Sequence, residues 1–181
     1  MTADVEAVLA FWFEKLRPAQ WFRKDPALDR EIAQRFGALH AQAIACECFE
    51  WRAAPRGRLA EIIVLDQFSR NIYRRDARAF ASDAQALVLA QEAVAKGVDQ
   101  SLSVVERSFL YMPYMHSESL VIHHRAVQLF DQPGLERNLD AEKRHKAMIE
   151  RFGRYPHRNA VLGRISSQAE VDFLNQPGSS F

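Results

Sequence analysis

The chain is short of cysteine, of net charge and of long apolar runs, and each shortage removes a class of protein. Two cysteines occur, Cys46 and Cys48. Neighbours in a C-x-C pair near a helix end point in different directions, so free thiols are expected rather than a disulfide framework. The net charge is +1, which gives no global attraction for nucleic acid or acidic membranes. No stretch approaches the roughly 20 apolar residues of a membrane span. The apolar stretch Val5 to Phe13 is surrounded by Asp4, Glu6 and Glu14 and has no basic leader, so no cleavable signal is read there and a cytoplasmic location is expected. Also missing are H-E-x-x-H, a P-loop, G-x-S-x-G and a dinucleotide fingerprint. No cofactor is expected, and no metal: nothing in the spacing of His116, Glu118, His145 and His157 demands one.

No segment alternates with a period of two, whereas helical periodicity runs almost throughout, so the fold class is all-α. At 181 residues and 48% hydrophobic, one domain over 1–181 can bury its own core. A first helix is expected from about Asp4 to Leu16. A second opens at the N-cap Asp25 with Pro26 behind it and carries the stripe Leu28, Ile32, Phe36, Leu39 and Ala43. The run Leu59 to Leu65 is apolar on most sides and belongs at the centre. Capping boxes at Ser82 to Gln85, Ser103 to Glu106 and Ser167 to Glu170 open further helices. Pro113 should end the second of these, and the next helix should run from about Ser117 to Phe130. A helix from about Leu139 to Phe152 follows, with His145 on its core face, and a Gly-Ser tail closes the chain. Paired antiparallel helices with short links are the natural packing.

Three blocks place ionic groups inside this apolar pattern. Asp66 and Arg70 extend the buried face of the central helix, with Asn71 beside them. They read either as an ion pair fixing helix packing or as a forked anion grip held by Asp66. His116, Ser117 and Glu118 follow Pro113 at a helix start, where they cap the helix or supply a neutral imidazole beside a carboxylate. Arg154, His157, Arg158 and Asn159 crowd the turn after Gly153, where Pro156 suits the start of a short helix and an anion site. Between Arg144 and Arg164 six basic residues face one acid, Glu150, which leaves net −4 for the other 160 residues. Asp66, Glu118 and Glu61 are the acids that could compensate those arginines.

The motifs Trp51-x3-Pro55-x-Gly57-x-Leu59-Ala60, Asp66-Gln67-Phe68-x-Arg70-Asn71, Met112-Pro113-x2-His116-Ser117-Glu118 and Phe152-Gly153-Arg154-Tyr155-Pro156-His157-Arg158-Asn159 resemble the bacterial family catalogued as domain of unknown function 924. Val8-Leu9-x-Phe11-Trp12-Phe13 and Glu170-x2-Phe173-Leu174 fit as well. The resemblance implies a tetratricopeptide-repeat-like right-handed array of about 8–9 helices in antiparallel pairs, and no known activity. His123 departs from the Gln expected of that family.

Two functions follow from the blocks. One is a binding module whose cationic pocket takes a small anion or an acidic peptide end, held by Arg70, Arg154 and Arg158 with Asn71, His157 and Asn159 completing the shell. The other is an acid-base or hydrolytic enzyme using His116 with Glu118 or Asp66, although no obvious nucleophile accompanies them. Nucleic acid is disfavoured by the near-neutral charge, despite Phe152 and Tyr155 as stacking groups. Oligomeric state and ligand identity are left open.

Overall fold

Helix is the only regular structure in this computed structural model, which describes residues 3–176; no strand occurs among them. Nine α-helices follow one another among the described residues. They are α1 (Ala3–Leu9, prolonged by a π turn over Ala10–Lys15), α2 (Pro18–Trp21), α3 (Pro26–Ile44), α4 (Pro55–Ile63, running through a π turn Val64–Phe68 into Ser69–Ile72), α5 (Asp83–Ala95), α6 (Val104–Met115), α7 (Leu120–Phe130), α8 (Glu136–Phe152) and α9 (Gln168–Leu174). No helix among the described residues is long and apolar enough to cross a membrane. The Gly-Ser tail lies outside the described residues.

Local signals set most of the helix ends. Asp25 caps α3, accepting from the Ala27 and Leu28 N–H groups at 2.9 and 3.3 Å. The boxes Ser103/Glu106 and Ser167/Glu170 both close as expected. Gly153 ends α8 at φ +68, a left-handed backbone that glycine adopts without strain.

Three expectations are corrected. Ser82 caps nothing, because its hydroxyl is drawn to the Leu65 carbonyl at 2.7 Å. Pro113 does not stop α6, which continues to Met115; this close to the helix end the ring forfeits one hydrogen bond without needing a break. Helix α7 starts at Leu120 behind Ser119, so His116, Ser117 and Glu118 belong to the preceding link.

The described residues form two compact units, one over 3–74 and 78–113, the other over 75–77 and 114–176. In the first, α4 is the buried centre: every residue from Leu59 to Ser69 is inaccessible or nearly so. Its packing is aromatic, with Phe36 4.9 Å and Trp12 5.7 Å from Phe68, and Phe109 5.6 Å from Trp12. Gly57 sits in the first turn of α4, where a Cβ would stand 2.1 Å from the Trp51 carbonyl oxygen. In the second unit α7 and α8 pack along each other, and Met148, Ile149 and Tyr155 form a small core with Phe152 and Phe173 against it.

Candidate functional site

In the first unit the ionic block is gripped from within. Asp66 is buried in the π turn of α4, with Arg70 Nη1 3.2 Å from its Oδ1 and the Gln67 amide donating to Oδ2 at 2.6 Å. Arg70 also forks onto Asp83 at 2.9 and 3.0 Å. A π turn leaves carbonyls without their usual i+4 donors, and side chains reach them here. Arg70 donates to the Asp66 carbonyl at 2.8 Å, and Ser69 and Ser82 donate to that of Leu65 at 2.6 and 2.7 Å. Asn71 donates to Asp29, which Arg74 holds as well. His40 lies 2.7 Å from the Ser69 hydroxyl, and burial keeps its imidazole below the usual range, hence neutral.

In the second unit the hub is Tyr155, a buried ring with His145, His157 and His123 centred 5.7, 5.4 and 6.2 Å away and the Arg158 guanidinium 4.7 Å from its centroid. Its hydroxyl donates to the Met115 carbonyl at 2.6 Å. His123 Nε2 lies 2.8 Å from the Ser117 carbonyl, which can only accept, so that nitrogen carries a proton. Nδ1 shares a second hydrogen bond, 2.7 Å long, with Glu142 Oε1. Both residues are wholly inaccessible. Burial pushes the Glu142 carboxyl up, against the pull of His123, and its Oε2 has no hydrogen-bond partner among the described residues. His145 donates from Nδ1 to the Ala141 carbonyl at 2.8 Å, and burial drives its pKa down to about 3.

Acids and arginines close around this hub. Glu118 takes two bonds from Arg164, at 2.7 and 2.9 Å, and one from the Tyr155 N–H at 2.7 Å. Half-burial raises the Glu118 carboxyl, but these donors and the nearby Arg158 charge outweigh it, so it is held below the ordinary carboxylate range as an anion. The expected helix start is not what stabilises it. Arg158, buried, donates to the His116 carbonyl at 3.0 Å. Asn159 donates to the Ser166 hydroxyl at 3.0 Å. Arg154 forks onto Glu170 at 2.6 and 2.8 Å.

Beside that last pair opens a cleft of about 400 Å³, lined by Arg151, Phe152, Arg154, Ser167, Ala169 and Glu170. Arg151 is exposed. Its guanidinium lies 4.7 Å from the Phe152 ring centroid and 5.7 Å from that of Phe173, and it has no carboxylate partner among the described residues. A guanidinium placed against a ring by its cation–π attraction can still turn its N–H groups to fork onto an anion.

Of the residues singled out in the sequence, His116, Glu118, Arg154, His157, Arg158 and Asn159 share the second unit, whereas Asp66, Arg70 and Asn71 belong to the first. The acids that answer the arginines were only partly legible. Glu118 does pair within that cluster, with Arg164, whereas Glu61 pairs outside it with Arg52. Glu170, Asp83 and Asp29 escaped notice because each also reads as an ordinary first-turn residue of a helix. Glu142 was missed too, being a single charge in the charge-rich helix α8, and Arg151 counted among the clustered basic residues but not among the site residues. Among the described residues no three His, Cys, Asp or Glu side chains are grouped to hold a metal ion.

Residues 8–178 match the model of a family described as a bacterial protein of unknown function, DUF924. A solved structure of a protein of unknown function from Agrobacterium tumefaciens is 35% identical, covering 97% of this chain and 99% of its own, with a TM-score of 0.90. No curated protein matches significantly.

Proposed function

We propose, on the premise that the chain belongs to the bacterial DUF924 family of proteins of unknown function, that it is a binding module for a small carboxylate or the acidic end of a peptide, taken up in the cleft between Arg151 and Arg154. The contrast between neighbouring arginines carries this reading. Arg154 and Arg164 each hold a carboxylate with two bonds, whereas Arg151 lies beside the Phe152 and Phe173 rings with no carboxylate partner among the described residues. An incoming carboxylate would fork onto Arg151, with the Ser167 hydroxyl at the cleft wall and the Phe152 ring and Ala169 methyl accepting an apolar flank. Glu170 does not repel it strongly, since Arg154 already neutralises that charge.

Titration calorimetry with N-acetylphenylalanine tests this. Binding is expected to the wild type and to be lost in Arg151→Gln, an exposed change that leaves the fold intact; Lys143→Gln on the same helix serves as the control and should retain it. Equal binding by the wild type and Arg151→Gln, or none by either, would overturn the reading.

A further inference from the structure

Helix α8 displays Arg137, Arg144 and Arg151 seven residues apart, a spacing that returns to the same face every two turns, about 10.5 Å along the axis. All three are exposed, and none has a carboxylate partner among the described residues. On the neighbouring flank Lys146 is already engaged by Glu150. Arg137 stands in the first turn of α8, where a cation opposes the helix dipole, so its place is not explained by the helix. The stripe leads to the cleft, because its last member, Arg151, is one of the cleft's walls.

We infer that the partner is an acidic peptide segment lying extended along the exposed face of α8, with its C-terminal carboxylate in the cleft. This rests on the carboxylate-binding reading above and names the partner of the same site. An extended chain advances about 3.3 Å per residue, so acids at every third position match the arginine spacing. Asp140 lies between Arg137 and Arg144 on the same face, exposed and without an ion pair. It would repel a continuous phosphate backbone but not a peptide whose acids are interrupted by neutral residues. The Arg151 guanidinium, 4.7 Å from the Phe152 centroid and 5.7 Å from that of Phe173, competes with a base for the faces of those rings. Charge pattern and stacking therefore both favour peptide over single-stranded nucleic acid.

Fluorescence anisotropy decides it, using the full chain and a labelled peptide with glutamate at every third position over three repeats and a C-terminal phenylalanine. The peptide should bind more tightly than N-acetylphenylalanine at low salt. The double variant Arg137→Gln/Arg144→Gln should remove about tenfold of that affinity, the sum expected of two exposed ion pairs, while leaving N-acetylphenylalanine binding unchanged. High salt should erase the same gain. If the small carboxylate binds but the peptide gains nothing from Arg137 and Arg144, the peptide inference fails and the cleft reading stands. If neither ligand binds, both fail. Tighter binding of oligothymidylate than of the peptide, lost in the same double variant, would overturn the peptide as occupant.

Discussion

The two units bury ionic groups in different ways. In the first, two buried acids meet arginine: Glu61 takes two bonds from Arg52, and Asp66 lies against Arg70. The guanidinium of each pair stays charged at any working pH. In the second, the innermost acid, Glu142, meets an imidazole, and a second imidazole, His145, is held neutral beside the same tyrosine. Burial pushes the Glu142 carboxyl up and holds the His145 imidazole well below its usual range. The second unit therefore couples its stability to pH through His145 and Glu142, and the first through His40. His40 is the one strongly buried imidazole of the first unit, and it bonds a hydroxyl rather than an acid.

The largest effect should come from the hub of the second unit. Tyr155→Ala removes a wholly buried ring and should destabilise by about 3–5 kcal/mol, with faster hydrogen exchange appearing over residues 114–176. Exchange rising as much in α4 would break the contrast between the units. Gly57→Ala is the counterpart in the first unit. The added Cβ would meet backbone, not a flexible side chain, so about 1–3 kcal/mol of overpacking is expected in denaturant unfolding; an unchanged midpoint would show that Trp51 can give way.

Chemical denaturation at pH 7.5 and 5.5 sharpens the comparison further. The His145 pKa falls in the folded state from 6.5 to about 3, so its contribution is complete above 6.5 and is lost as pH drops. The maximum slope is about 1.4 kcal/mol per pH unit. Glu142 works in the opposite sense: its folded pKa is raised from 4.5, so acidification through that window favours the folded state. Wild type should thus be less stable at pH 5.5. His145→Gln should shrink that difference, leaving the share due to His40, and Glu142→Gln should widen it. The reverse order for the two variants would refute the assignment. The smallest change expected is Ser103→Ala, which removes one cap from α6 for about 1 kcal/mol, with no dependence on pH.

Much of the helical layout was readable in advance because its causes are local. Asp25 with Pro26, Ser103 with Glu106, Ser167 with Glu170 and Gly153 act within a few residues of themselves, and four of the five apolar stripe positions expected on α3 are buried, Leu39 less so than the rest. Ser82 failed as a cap for a nonlocal reason: the π turn of α4 frees the Leu65 carbonyl, seventeen residues away, and the hydroxyl serves that instead. The site was legible as a set of residue types, not as partnerships. Arg154 and Glu170 are sixteen residues apart, and Glu118 and Arg164 forty-six. No periodicity relates such positions.

From the sequence alone came the all-helical class, the family resemblance and the concentration of arginine between 144 and 164, since each depends on composition or on spacing within a few turns. Only the tertiary structure decided which arginine is neutralised and which, Arg151, has no carboxylate partner among the described residues. Ion pairing of this kind depends on distances of a few ångströms between residues far apart in the chain, and those distances exist only after the helices have packed.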